Sequence, residues 1–223
     1  MEVVIVLGGP NTKENIKELL ENRYGKAYED FHFVGVDGGA LRLLDQRLPM
    51  EVAIGDFDSV TKEQRDLIHG AANTIVELPS EKDDTDFEAA LLWVKEHYEG
   101  TPIHVLGSFG GRVDHAISTL WTMMRPDLAP LIPYVVFEDA TNVVNFIQPG
   151  TYTIEKMDFT KYLSFISMTP VENVTLVDVK YTLDSKSYEY PVALVSNEFT
   201  SDKMTISFTK GLILVAQTRD HWR

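Results

Sequence analysis

The sequence predicts an α/β protein with an N-terminal Rossmann-like parallel-sheet domain, followed by a C-terminal all-β sandwich domain. Two observations predict it. Over residues 1–140, short continuous apolar runs alternate with helical patterns, which is typical of a parallel sheet covered on both faces. Over residues 141–223, helical periodicity is absent and short apolar runs alternate with turns. The 223 residues are enough for two modest domains, and we place the boundary between Asp139 and Asn142.

The elements of the first domain follow from apolar spacing. Continuous apolar runs predict strands at residues 3–7, 33–36, 52–54, 75–78 and 103–106. Apolar residues at helical spacing predict helices at residues 15–24, 64–69, 87–98 and about 114–124. Strand and helix therefore alternate along this half of the chain.

The second domain has a different pattern. Runs of β-branched and aromatic residues predict strands at residues 143–147, 152–154, 162–168, 174–179, 192–195, 204–208 and 212–216. Several short strands at such intervals predict a small antiparallel sandwich or barrel.

The run Gly-Asp-Phe-Asp-Ser at residues 55–59 places two carboxylates directly after an apolar strand. In an extended segment, Asp56 and Asp58 would point the same way. At about 4 Å they would repel by about 4 kcal/mol at an effective dielectric of about 20. A Mg²⁺ ion shared with substrate phosphates would remove that repulsion. Alternatively, Asp58 or Ser59 caps a helix that begins near Thr61, which would explain only one of the two acids.

A second acidic cluster, Lys-Asp-Asp-Thr-Asp at residues 82–86, precedes an amphipathic helix. A ligand role for this cluster is one interpretation, and its position beside the first cluster favours it. A structural explanation is also sufficient here, because Thr85 and Glu88 form a capping box and acids in a first turn are stabilised by the helix dipole.

A third motif, Gly-Ser-Phe-Gly-Gly-Arg-Val-Asp-His at residues 107–115, lies between a strand and a helix. Glycines let backbone N–H groups approach an anion, and Arg112 offers donors that match phosphate oxygens. The loop fits neither the P-loop nor the dinucleotide fingerprint, and the turn Gly8-Gly9-Pro10 lacks the P-loop lysine and hydroxyl. A standard NTPase or a Rossmann dehydrogenase is therefore disfavoured.

These polar residues all follow predicted parallel strands. In such folds ligands bind outside the carboxyl ends of the strands, so the residues are expected to converge there. The converging set is Asp37, Asp56, Asp58, Asp83, Asp86, Arg112 and Asp114.

Composition narrows the choice of partner and compartment. A formal net charge of −14 disfavours binding to nucleic-acid backbones and anionic membranes. The chain has no cysteine, which excludes disulfides, thiolate metal sites and cysteine nucleophiles. No signal peptide or apolar stretch of about 20 residues is apparent. We therefore expect a cytoplasmic protein with a small-molecule substrate.

Five motifs taken in order resemble those of the bacterial thiamine pyrophosphokinase family. They are Asp37-Gly38-Gly39, the run at 55–59, the run at 82–86, Gly-Gly-Arg-Val-Asp-His at 110–115, and Ser-Asn-Glu-Phe at 196–199. The resemblance implies a homodimer that transfers diphosphate from ATP to thiamine, giving AMP and thiamine diphosphate. It also implies that residues 1–140 form the nucleotide- and metal-binding catalytic domain and residues 141–223 the thiamine-binding domain.

The resemblance assigns roles to individual residues. Asp56, Asp58 and Asp83 would bind Mg²⁺, and Asp86 would complete that shell or hold the helix start. Asp114 would orient the thiamine hydroxyl or accept its proton, and Arg112 would steady the phosphates. The residues implied to contact the nucleotide or thiamine are Asp37, Gly38, Gly39, Lys82, Gly110, Gly111, Arg112, His115, Ser196 and Asn197, the last two against the aminopyrimidine.

Two other functions remain open from the residues themselves. Another Mg²⁺-dependent phosphotransferase or nucleotidyltransferase would share the acidic loops and use a different acceptor. A noncatalytic nucleotide-binding module would keep the site without turnover, although so many mutually repelling carboxylates argue against it. Ser196 and Asn197 also fit an ordinary turn between two strands.

Overall fold

The structure is a computed structural model that describes residues 2–9 and 14–220, so Pro10 of the predicted glycine turn lies outside the described residues. The chain divides into two compact units. We call Met1–Ala140 the N-terminal unit and Thr141–Arg223 the C-terminal unit.

The described residues of the N-terminal unit form six strands and five α-helices. The strands are β1 (Val3–Val6), β2 (His32–Val36), β3 (Met50–Gly55), β4 (Ala72–Glu77), β5 (Ile103–Leu106) and β6 (Val135–Glu138). The helices are α1 (Ile16–Tyr24), α2 (Gly38–Asp45), α3 (Lys62–Ala71), α4 (Asp86–His97) and α5 (Val113–Trp121). Short 3₁₀ helices span Gly25–Asp30, Thr122–Met124 and Ala129–Leu131.

The six strands form a parallel sheet in the order β6-β5-β1-β2-β3-β4. β1 lies in the middle, with Val4 paired to Phe33 of β2 on one side and to His104 of β5 on the other. The chain runs outward from β1 to β4 and then returns to β5 on the opposite side of β1. The crevice between the ends of β1 and β5 is therefore a topological switch point, where open α/β sheets bind ligands.

Side-chain caps fix where three of the helices begin. Asn15 accepts a hydrogen bond from the backbone N–H of Glu18 at the start of α1. α3 and α4 start with complete capping boxes, formed by Thr61 with Gln64 and by Thr85 with Glu88. The alternative in which Asp58 or Ser59 caps α3 is therefore wrong, and neither acid of residues 55–59 is needed to begin a helix.

Gly38 and Gly39 are the first two residues of α2. A Cβ atom on Gly39 would lie 1.8 Å from the carbonyl oxygen of Val6, and one on Gly35 of β2 would lie 2.7 Å from Cα of Ala40. Close approach of backbone to backbone thus sets α2 against β1 and β2. The buried side chains of Ala40 and Leu43 complete that contact.

A buried charge cluster connects α1, β5 and β6. The Glu138 carboxylate accepts hydrogen bonds from Arg23, from the hydroxyl of Tyr24 at 3.0 Å, and pairs with Nδ1 of His104 at 3.0 Å. Nε2 of His104 lies 2.6 Å from Oε2 of Glu2. Burial alone would lower the pKa of His104, but Glu138 and Glu2 outweigh it and raise the pKa above its usual range. Burial would likewise raise the pKa of Glu138, but His104 and Arg23 hold it low.

The C-terminal unit is a sandwich of two antiparallel four-stranded sheets. Its strands are β7 (Asn142–Ile147), β8 (Gly150–Glu155), β9 (Tyr162–Ser167), β10 (Val171–Val177), β11 (Leu183–Tyr188), β12 (Ala193–Asn197), β13 (Lys203–Phe208) and β14 (Ile213–Thr218). One sheet has the order β12-β9-β14-β7 and the other β11-β10-β13-β8. Their inner faces share a core that includes Phe165, Leu176, Ile206, Phe208 and Val215.

Within the described part of the chain, no helix is long and apolar enough to cross a membrane.

Candidate active site

A cleft of about 910 Å³ lies at the carboxyl edge of the parallel sheet in the N-terminal unit. It takes lining residues from the segments after β1 (Gly8, Gly9), β2 (Asp37, Gly38) and β5 (Ser108), and from Lys82 after β4. The cleft therefore spans the switch point between β1 and β5. Its volume is that of a typical small-molecule site, which is roughly 300–1,000 Å³.

Glycines allow the loops after β1 and β5 to touch. A Cβ atom on Gly9 would lie 2.0 Å from the carbonyl oxygen of Gly107. Gly107 has φ +80°, and a Cβ atom there would lie 2.5 Å from the carbonyl oxygen of Leu7. Only glycine fits at both positions, and the two loops form one continuous wall of the cleft.

Asp37 joins the ends of β2 and β3 on the cleft wall. Its backbone N–H donates to the carbonyl oxygen of Ile54 at 2.9 Å, and Ser59 Oγ donates to its carboxylate at 3.0 Å. Burial raises the pKa of Asp37, and the nearby carboxylates of Asp86 and Asp56 raise it further, against the hydrogen bonds from Ser59 and Gly38. Asp37 thus belongs to one acidic group with Asp56 and Asp86.

Lys82 places a positive charge between two of these acids. Its Nζ lies 3.4 Å from Oδ2 of Asp56 and 2.9 Å from Oδ1 of Asp86. Burial would lower the pKa of Lys82, but Asp86 and Asp56 outweigh it and raise the pKa. The backbone N–H of Asp58, and then Lys82, lower the pKa of Asp56. The two carboxylates therefore converge on a single cation.

We expected the carboxylates of Asp56 and Asp58 to point the same way because residues 56–58 would be extended. The segment is not extended, so this expectation is wrong. Phe57 has φ +54° and is buried, with 2% of its surface exposed. The backbone N–H of Asp58 donates to Oδ1 of Asp56 at 3.1 Å, which closes a turn. The chain therefore turns at Phe57, and Asp58 is exposed.

The predicted metal shell of Asp56, Asp58 and Asp83 is not brought together in this structure. In residues 2–9 and 14–220, no group of three or more His, Asp or Glu side chains is arranged to hold a metal ion. Asp83 is exposed, and its neighbour Asp84 pairs with Arg125. Among the acids predicted from sequence, Asp56 and Asp86 are the two that share a cation.

The glycine-rich loop after β5 ends in an ion pair. Gly110 and Gly111 have φ +88° and +76°, which leave the backbone in conformations that other residues rarely adopt. Arg112 donates through Nε and Nη2 to the Asp114 carboxylate at 3.2 and 2.6 Å, and both side chains are largely exposed. This contact lowers the pKa of Asp114. His115, whose backbone N–H donates to Asp114 at 3.0 Å, also lines the cleft.

Arg42 and Glu14 form a buried pair behind the cleft wall, and the sequence analysis did not identify either residue. Arg42 of α2 is 5% exposed and donates to the carbonyl oxygen of Leu7 at 3.1 Å and to Glu14 at 3.4 Å. Burial lowers the pKa of Arg42 and raises that of Glu14. An arginine in a helical pattern ordinarily indicates a solvent-facing position, so the sequence carried no signal for this pair.

Ser196 and Asn197 lie at the end of β12 in the C-terminal unit. Ser196 is exposed, has φ +60°, and donates its backbone N–H to Ser164 Oγ at 3.2 Å. Asn197 is buried, and its side chain accepts from the N–H of Tyr181 and donates to the carbonyl of Tyr181, both at 2.9 Å. Asn197 therefore lies in β12, and its side chain holds the backbone around Tyr181.

Comparison with known proteins assigns both units to one family. The model of the thiamin pyrophosphokinase catalytic domain matches residues 28–133, and that of the vitamin B1 binding domain matches residues 151–213. A thiamine pyrophosphokinase of Bacillus subtilis is 32% identical over 218 residues, covering 97% of this chain and 98% of the relative. The chain belongs to the thiamine pyrophosphokinase family. This confirms the resemblance that the five motifs indicated.

Other members of the thiamine pyrophosphokinase family share the whole length of the chain. The crystal structure of a family protein from Enterococcus faecalis has a TM-score of 0.89 at 33% identity, covering 99% of this chain and 100% of that one. A thiamin pyrophosphokinase of Caenorhabditis elegans is 28% identical, covering 95% of this chain and 87% of the relative. The predicted fold class is confirmed, and the family is one of kinase-type transferases.

Proposed function

We propose that this protein transfers a diphosphate group from Mg-ATP to the hydroxyl group of thiamine, releasing AMP and thiamine diphosphate. Membership of the thiamine pyrophosphokinase family supports the reaction. The observation that carries the proposal is the cleft at the switch point, where glycine loops, the cationic side chains of Lys82 and Arg112, and four acids (Asp37, Asp84, Asp86 and Asp114) meet. Phosphoryl-group transfer depends mainly on positioning and charge stabilisation, which such a cleft supplies.

The nucleotide phosphates would bind along the glycine loops. Gly38 at the N-terminus of α2 and Gly110 and Gly111 after β5 offer backbone N–H groups, and a helix N-terminus favours an anion. Lys82 and Arg112 add positive charge on the same cleft. Gly39, the second residue of α2, also sets α2 against β1 through its close approach to the carbonyl group of Val6.

A Mg²⁺ ion fits the donors that the cleft presents. Asp56 and Asp86 already converge on the ammonium group of Lys82, which acts as a stand-in for a cation at that point. Mg²⁺ is usually held by one or two carboxylates together with substrate phosphates. When bound, the ion would neutralise negative charge on the transferred phosphates. We assign Asp56 and Asp86 as its main protein ligands, with Asp58 and Asp83 as further candidates from the sequence.

Asp114 and Arg112 would act on the reacting groups. The hydroxyl oxygen of thiamine forms a bond to the β-phosphorus while the bond from that phosphorus to the oxygen shared with the α-phosphate breaks, and AMP leaves. Asp114 is the candidate for taking the hydroxyl proton, but Arg112 lowers its pKa and so makes the carboxylate a weaker base while the ion pair persists. Binding of ATP would draw Arg112 from Asp114 toward phosphate and free the carboxylate for this step.

The remaining parts of the proposal concern the vitamin, assembly and location. Exposed Ser196 is available to contact the aminopyrimidine of thiamine, and Asn197 would support it through the backbone near Tyr181. Family resemblance supports a homodimer, which light scattering after gel filtration would test. The lack of cysteine is consistent with a cytoplasmic enzyme.

The purified chain incubated with ATP, Mg²⁺ and thiamine tests the reaction. Chromatography should show AMP and thiamine diphosphate forming in equal amounts, and EDTA should stop both. Formation of ADP with thiamine monophosphate would contradict diphosphate transfer. Binding of Mg-ATP without any turnover would favour another acceptor or a noncatalytic module.

A further inference from the structure

Ser108 carries an unusual hydroxyl group. Its Oγ is buried and has no hydrogen-bond partner, and no other side-chain hydroxyl shares this property over the described ranges 2–9 and 14–220. Ser108 as a whole is 6% exposed. A buried hydroxyl without a partner destabilises a folded protein, so its retention needs an explanation.

The position of Ser108 explains why this hydroxyl group is retained. The residue follows β5 at the switch point and lines the cleft beside Gly107. The backbone there has little freedom, because the loop after β1 packs directly on Gly107. The backbone of Ser108 is therefore held at the wall of the proposed nucleotide site, while its side chain keeps the rotation about the Cα–Cβ bond that can turn the hydroxyl group toward the cleft.

We propose that the hydroxyl group of Ser108 donates a hydrogen bond to a phosphate oxygen of bound ATP. This inference rests on the proposed function and names a residue that determines how the phosphates are held. A hydroxyl can donate to an anion, and the same cleft presents the other groups that bind phosphate, namely glycine N–H groups, Lys82 and Arg112. The missing partner of Ser108 is thus part of the substrate.

The proposal predicts opposite effects on the free protein and on binding. Ser108→Ala removes the unpartnered hydroxyl, so the thermal midpoint of the free protein should stay the same or rise. The same change removes a hydrogen bond to a charged group, so the affinity for Mg-ATP should fall about tenfold or more. A merely structural serine would lower the midpoint and leave affinity unchanged.

Ser167 provides a matched control. It is also a buried serine, 4% exposed, but its Oγ accepts a hydrogen bond from the backbone N–H of Val192 at 2.8 Å in the C-terminal unit. Ser167→Ala should lower the thermal midpoint and leave Mg-ATP affinity unchanged. Both substitutions remove a buried serine hydroxyl group. A difference between the two variants in Mg-ATP affinity therefore reports on the partner of Ser108.

Calorimetric titration of wild type, Ser108→Ala and Ser167→Ala with Mg-ATP and with Mg-tripolyphosphate would decide the matter. We expect Ser108→Ala alone to weaken both ligands by a similar factor, because tripolyphosphate has phosphate oxygens and no nucleoside. Equal affinity of wild type and Ser108→Ala would overturn the inference and leave the proposed function intact. If Ser108→Ala lost affinity for Mg-ATP but not for Mg-tripolyphosphate, the assignment of the hydrogen bond to a phosphate oxygen would be overturned. Failure of wild type to bind either ligand would overturn both the inference and the proposed function.

Discussion

Replacing Gly39 by alanine tests the close packing that positions the cleft. Helix propensity alone predicts a gain of about 1 kcal/mol for glycine to alanine inside a helix. The structure predicts the opposite, because the new Cβ would lie 1.8 Å from the carbonyl oxygen of Val6 and 2.6 Å from its carbonyl carbon. An ordinary carbon–oxygen contact is about 3.3 Å or longer, so α2 and β1 must separate by about 1.5 Å.

The cost of that separation is high because β1 pairs with β2 and β5 on its two sides. Overpacking typically costs about 1–3 kcal/mol and more where the neighbour is backbone, so we expect a net loss of about 2–4 kcal/mol. Urea unfolding should measure this loss of free energy. Thermal unfolding should show a fall of about 5–10 °C in the midpoint. Gly70→Ala is the matched control.

Gly70 lies in α3, and among the described residues no atom would come within 4 Å of a Cβ added there. Gly70→Ala should therefore stabilise the protein by about 0.5–1 kcal/mol. If Gly39→Ala proved as stable as Gly70→Ala, the close approach of α2 to β1 would be refuted. The same variant should also bind Mg-ATP more weakly, because the N-terminus of α2 lines the cleft.

Three further predictions concern charged residues. Glu138→Gln should destabilise the protein by about 3–5 kcal/mol in urea unfolding, since it leaves buried cations uncompensated; a loss below about 1 kcal/mol would contradict the cluster. The stability that comes from the raised pKa of His104 should be fully present below about pH 6.5 and decline as pH rises through the higher folded-state pKa. His104→Gln should abolish that decline. If the stability of His104→Gln depended on pH as that of the wild type does, the decline could not be assigned to His104. Asp56→Asn and Asp86→Asn should each lower diphosphate transfer at least about 100-fold without loss of fold, and Asp83→Asn should lower it less. An equal loss in Asp83→Asn would restore the metal shell that the sequence indicated.

Much of the fold could be predicted because local signals agreed with tertiary structure. Most of the continuous apolar runs became buried strands, as in β1, where all four residues are buried, although β4 has no fully buried residue. The predicted capping box at Thr85 is present, and the helix predicted to begin near Thr61 starts with a capping box as well. Elements without such signals were missed. α2 begins with two glycines and has only eight residues, and β11 carries mainly exposed polar side chains, so neither showed a clear period.

Topology predicted the sheet edge at which the candidate residues gather, whereas their individual positions depend on local turns and loop packing. The carboxyl ends of parallel strands meet at one edge, which is why Asp37, Asp86 and Arg112 line one cleft. The position of the Asp58 side chain depends on a local turn at Phe57, a buried residue with a positive φ. Contacts between distant segments, such as Lys82 with Asp56, depend on how the loops pack and are not encoded in spacing.

Transfer of label from ATP carrying radioactive phosphorus in its β-phosphate tests the central claim most directly. With thiamine and Mg²⁺ present, the account predicts that the label moves into thiamine diphosphate while the AMP formed in equal amount carries none. Label that stays in ADP, with thiamine monophosphate as the other product, would contradict diphosphate transfer at this cleft.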